Sequence, residues 1–142
     1  MLIDCDVHVY PANPQEIKDY LQQPWKHRFE IRKQMYYKTP SSPDGRPAPD
    51  PAAASKPEAL REHIRKNRLS HAILIALPHA SANHDPDFAA AVASAYNDWL
   101  AEVWLGRHNA DGVFKGTICI SHQDPKQAAA EIDRWAEHPH FV

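Results

Sequence analysis

Glycine is scarce in this chain, with 4 among 142 residues. Loops that cradle phosphate need glycine where backbone amides close on the anion, and neither G-x-G-x-x-G nor a P-loop is present. Cysteine is scarcer still: Cys5 and Cys119 both fall in segments that read as strands, so no disulfide framework is expected. That agrees with a reducing cytoplasm, the location expected here. No run is apolar and long enough to span a bilayer. The first residues lack a basic stretch ahead of an apolar one, so no signal peptide is expected. Neither sign of charge is in excess. A formal net charge of −2 leaves no basic patch for nucleic acid and no acidic tail. What remains is an ordinary globular composition, 43% hydrophobic and 24% charged, sized for one small domain.

Proline, by contrast, is abundant at 13. Residues 39–57 hold Pro40, Pro43, Pro47, Pro49, Pro51 and Pro57 around an Asp44-Gly45 turn. Proline at this density removes amide donors and forbids a regular element, so a long loop is expected there after the first strand. Long loops inside compact domains are often lids or binding loops.

The stretch Leu2–Tyr10 reads as that first strand. Ile3, Cys5, Val7 and Val9 alternate with Asp4, Asp6 and His8, at the two-residue period of a strand. Parity places Asp4, Asp6 and His8 on one face, and Cys5 and Val7 on the other, against helices. Asp6 and His8 stand one pleat apart on the same side. A carboxylate oxygen and an imidazole nitrogen are ordinary ligands for zinc and related metals, so the pair is a candidate half-site for a divalent cation. The competing reading is an exposed edge strand with a solvated polar face.

Further along, Asn13-Pro14 opens a short helix carrying Ile17, Tyr20 and Leu21, and Trp25–Phe29 opens another. The second is basic and aromatic, which suits either an anion contact or, more simply, a solvated face with aromatics packed inward. Ser55 and Glu58 make a capping box for a helix with Leu60 and Ile64 on one face, ending near Arg68. His71–Leu77 is apolar at almost every position, the pattern of a strand buried on both faces. Asp85-Pro86 starts the longest helix, with a stripe of Phe88, Val92, Ala95, Trp99 and Val103. A third strand is expected over Val113–Ile120, and Asp124-Pro125 opens a last helix with Ala128, Ile132 and Trp135 inward. Phe141-Val142 falls where a fourth strand would begin. Alternation of strand and helix implies a parallel sheet with right-handed crossovers, hosted by a (β/α)8 barrel or a doubly wound sheet. The lack of a Gly-rich first turn counts against the second.

Ile3-Asp4-Cys5-Asp6-Val7-His8-Val9-Tyr10-Pro11 resembles the first strand of the amidohydrolase-related family of metal-dependent hydrolases and decarboxylases. Asn83–Ala89 and Ala95–Leu100, with Tyr96-Asn97-Asp98-Trp99 its most specific piece, resemble its second helix, and Gln123-Asp124-Pro125 with Ala129–Ile132 its third. The resemblance implies a (β/α)8 barrel with its metal at the C-terminal ends of the strands. Such a barrel typically takes about 250 residues, so residues 1–142 are expected to be its N-terminal portion: three consecutive βα units, incomplete. It also implies one divalent ion, zinc or manganese, held by Asp6 and His8 with later ligands, and a general base beyond residue 142. Hydrolysis by metal-activated water and metal-assisted decarboxylation of a small carboxylated substrate both fit. A non-catalytic piece that associates through open sheet edges is the alternative.

His79 and His122 follow the second and third strands, on loops that in a barrel face the site. His79 is the candidate substrate contact, against the simpler reading of a solvated loop histidine. His27, His63, His71, His108, His138 and His140 read as surface or helix-end residues. Asp4 reads as a supporting carboxylate rather than a ligand. The expected partner is a small-molecule substrate, with no nucleic acid or membrane and with a homo-oligomer possible.

Overall fold

A computed structural model describes residues 1–29, 52–76, 78 and 83–142. The chain builds a mixed α/β fold. The elements run β1 (Ile3–Val9), α1 (Pro14–Lys18), α2 (Pro57–Lys66), β2 (His71–Ala76), α3 (Pro86–Trp99), a π-helical segment (Leu100–Arg107), β3 (Phe114–Gly116) and α4 (Pro125–Trp135). Residues 25–29 form a further helical turn. The three strands pair in parallel in the order β1-β2-β3, as the alternation of elements predicts. Phe141 continues the series with a parallel bridge to Gly116. The greater part of the expected 39–57 loop, residues 39–51, lies outside the described residues. Its last turn is described: the Ala54 carbonyl accepts from the Tyr10 amide at 2.7 Å.

Local chemistry sets the helix starts. Asn13, Asp85 and Asp124 each cap a helix with a side-chain oxygen that accepts backbone N–H groups, and a proline takes the first turn, where an amide has no partner anyway. The expected Ser55–Glu58 capping box does not form. Pro57 fixes the first helical residue, so the cap falls on Lys56, which makes no side-chain cap bond. At its other end α2 closes with Arg68 in the left-handed region, φ 56°. The Arg68 amide donates to the Arg65 carbonyl and the Leu69 amide to the Ile64 carbonyl, which satisfies carbonyls the helix end would strand.

One face of the sheet is buried under the helices. Ala72, Leu74 and Ala76 of β2 are inaccessible, whereas His71, Ile73 and Ile75 are half-exposed on the other face. The strand therefore buries one face here, not both. The core beneath it holds Phe88, Val92, Tyr96, Trp99, Leu100, Trp104 and Phe114.

Three expectations about α3, β3 and α4 need correction. The helical stripe holds through Trp99, but the turn then widens into a π-helix, which bonds i to i+5 and rotates the following side chains. Leu100 and Trp104 are buried in place of Val103, which is half-buried. The third strand is three residues rather than eight, so Cys119 lies past its end. At its last residue, Gly116, a Cβ would lie 2.9 Å from Leu105 Cδ1 and 3.2 Å from Phe141 Cε1, so backbone and π-helix meet closely at this point. In α4, Ala128 is buried but Ile132 is exposed. Trp135 packs against Phe141, ring centroids 5.0 Å apart.

The Trp25–Phe29 turn takes the packed reading. Phe29 is buried, Trp25 stacks on Phe88, and Arg28 lies 4.4 Å over the Phe88 ring while pairing with Asp85. That hydrogen bond from Arg28, with the helix-capping amides, holds the Asp85 carboxyl below its usual range.

Candidate metal centre

The two residues singled out on β1 do converge. His8 Nε2 and Asp6 Oδ1 are 3.0 Å apart on the exposed side of the strand, with side chains 44% and 79% exposed. His8 shares a register row with Ile75, on the face the helices leave uncovered. Asp6 is the middle residue of the strand and His8 lies one short of its C-terminal end.

The path to this arrangement differs from simple parity. Ile3 pairs with His71 and Asp4 with Ala72, but the next pair is Val7 with Leu74. Between these rows β1 spends one residue more than β2, which is a β-bulge. Val7 and Val9 therefore share the rows of buried Leu74 and Ala76, as parity predicts, whereas Asp4 falls on the row of buried Ala72. The expectation that Asp4 projects with Asp6 and His8 is thus overturned. So is the expectation that Cys5 packs against helices, since Cys5 is an exposed free thiol beside Asp6. A bulge places two successive residues where the partner strand has one, and Cys5 and Asp6 are those residues. The Asp6 amide donates to Asp4 Oδ1 at 3.2 Å across it.

The donor set fits a divalent ion in kind. One carboxylate oxygen and one imidazole nitrogen lie close together and are open to solvent, and both are zinc- and manganese-compatible ligands. Among the described residues no group of three or more His, Cys, Asp or Glu side chains gathers to complete such a site. His79 lies outside the described residues. His122 is exposed in the loop after β3. His71, read from sequence as a surface residue, instead starts β2 half-buried, with Nδ1 lacking a hydrogen-bond partner.

A groove of about 680 Å³ opens elsewhere, on the helical side. Tyr20, Trp25, Ala91, Ser94, Asp98 and Arg134 are among its lining residues, and no residue of β1 reaches it. Burial, reinforced by a hydrogen bond to Glu102, pushes the Tyr20 hydroxyl up to about 12.

Sequence reasoning missed the residues that fix the loop after β3. Asn97, fully buried, accepts the Cys119 amide at 2.8 Å and donates back to the Cys119 carbonyl at 2.8 Å. It also donates to Glu131 of α4 at 2.7 Å. Cys119 Sγ–H donates to the Ala76 carbonyl at the end of β2. Burial, with the Glu131 charge adding to it, pushes that thiol up to about 12, so it stays protonated and serves as a donor. Asp98 pairs with Arg134 at 2.5 Å, and Trp99 Nε1 donates to Glu16 at 3.3 Å. The run Tyr96-Asn97-Asp98-Trp99 is thus a set of ties from α3 to its neighbours. The available signal was an asparagine inside an otherwise apolar helical stripe.

No helix among the described residues is long and apolar enough to cross a membrane. No curated protein matches the chain. A family model described as "Amidohydrolase" matches residues 3–142, which takes in β1 with its Asp6–His8 pair and every element after it, and the chain belongs to the amidohydrolase family.

Proposed function

We propose that the chain supplies Asp6 and His8 to a single divalent metal, zinc or manganese, in a hydrolase or decarboxylase acting on a small carboxylated substrate. The observation that carries this reading is the 3.0 Å approach of His8 Nε2 to Asp6 Oδ1 on the uncovered sheet face, within a chain of this family. We read β1, β2 and β3 with their helices as the first three βα units of a (β/α)8 barrel. Parallel order and burial on one face support that reading, because a barrel's inner face packs against side chains from its other strands. A bound ion would activate water or polarise a substrate oxygen. Asp6 would bring a negative charge that offsets the ion's own. His8 would bind as neutral imidazole, so metal uptake competes with its protonation. The remaining coordination positions fall to water, substrate and other side chains, with the general base supplied outside residues 1–142. The reading needs no membrane and no nucleic acid, and it is consistent with a cytoplasmic enzyme.

The test is metal content in the active enzyme. Asp6→Ala and His8→Ala should each lower bound metal and turnover together, by at least the roughly 10–100-fold that loss of a supporting residue typically costs. Normal metal by elemental analysis in both variants would remove the assignment.

A second reading, association of copies through the sheet, is favoured by Leu2, Ile3 and Val142, which are exposed, and by half-exposed Ile73 and Ile75. Unpaired strand edges recruit other strands. It predicts a solution mass above the 16.1 kDa monomer by light scattering, rising with concentration. A constant monomer mass would exclude it.

A further inference from the structure

We propose that Asp4 is a positioning residue: by accepting the Asp6 amide across the β1 bulge, it holds Asp6 at His8 and thereby sets the affinity of the pair for a divalent cation. The proposal rests on the metal reading above, and the register of β1 carries it beyond that reading. The strand takes three steps from Asp4 to Val7 while β2 takes two from Ala72 to Leu74. An extra residue leaves backbone groups out of the ladder, and such bulges re-aim side chains. Here the Asp6 amide finds its acceptor in Asp4 Oδ1, 3.2 Å away and two residues back. An aspartate closing a local turn on a nearby amide is a stable arrangement that competes well with strand pairing.

Asp4 is suited to this by its placement. It lies half-buried on the row of Ala72 and not among the exposed residues around His8. It therefore acts on Asp6 through the backbone and leaves the exposed carboxylate of Asp6 free for His8 Nε2. Without the acceptor, the two-residue bulge loses the bond that fixes its backbone torsions. Asp6 and His8 then sample separations at which one ion cannot reach both.

The experiment uses the full chain with zinc alone as the probe, read by the imidazole nitrogen shifts of His8 and by hydrogen exchange of the Asp6 amide. Asp4→Ala should weaken zinc binding about tenfold or more, in line with supporting residues at metal sites, and should speed exchange at Asp6. Asp4→Asn keeps an acceptor oxygen and should restore both. The proposal is overturned if Asp4→Ala matches the wild type in both readouts, or if Asp4→Asn is as defective as Asp4→Ala. It is equally overturned if Asp4→Ala lowers only the melting temperature, which a purely structural role would do. Should Asp4→Ala not fold, Asp4→Val, which also lacks an acceptor and suits a strand, takes its place under the same criteria. If the wild type takes up no zinc, the metal reading fails. Exchange then decides the role of Asp4 by itself: fast only in the variant lacking an acceptor upholds it, and uniform exchange overturns it.

Discussion

Replacing Asn97 by alanine is expected to destabilise the fold by about 2–4 kcal/mol, a sizeable part of the roughly 5–15 kcal/mol typical of a domain. The side chain is fully buried and completes hydrogen bonds to both the amide and the carbonyl of Cys119. Truncation leaves those two groups desolvated and unpaired, and each costs far more than the bond itself contributed. It also frees Glu131, whose other oxygen partners include Trp135 Nε1 and Arg134. Asn97→Asp is the sharper probe because its shape is unchanged. It would turn the donor facing the Cys119 carbonyl and Glu131 into an acceptor, so its cost should equal or exceed that of alanine. Urea unfolding midpoints measure both. A shift in Asn97→Ala smaller than about 0.5 kcal/mol, the range of ordinary surface changes, would show that the clamp is dispensable. The Cys119 amide should also exchange faster in Asn97→Ala, because its acceptor is lost.

Trp104→Ala should cost about 3–5 kcal/mol, the usual loss for removing a buried aromatic ring. Trp104 is inaccessible to solvent and meets Trp99 and Phe114 edge to face, with centroids 6.2 and 5.8 Å away. Those contacts join the π-helical segment to α3 and to β3, so the cavity would open where three elements meet. Trp104→Phe separates packing from polarity. The indole Nε1 is buried without a hydrogen-bond partner. Phenylalanine keeps an aromatic ring in the site and removes that unsatisfied donor, though it leaves part of the indole volume empty, so its cost should be clearly smaller than that of alanine. Thermal melts of both variants give the comparison. Equal losses in the two would mean that the shape of the indole, and not ring burial, decides stability here.

Both effects arise at positions where local pattern and tertiary packing part company. The sequence by itself determined the element order, because strand-like and helix-like periods alternate along it and proline after Asn or Asp marks helix starts at Asn13, Asp85 and Asp124. It determined that Asp6 and His8 share a side, because two residues of strand period apart point the same way. Val7 and Val9 on the buried side follow from the same rule. The resemblance of the first strand and of the Tyr96–Trp99 run also agreed with the family that matches residues 3–142. Tertiary structure alone decided the rest. Parity carries no information about an inserted residue, so the bulge that moved Asp4 to the row of Ala72 and exposed Cys5 is set by pairing with β2. The length of β3 was decided by Asn97, which takes over the amide and carbonyl of Cys119 that a longer strand would have given to its neighbour. The π-helical segment from Leu100 likewise lies beyond local pattern: Leu100 and Leu105 close on Gly116 and Trp104 meets Phe114, contacts between segments far apart in the chain.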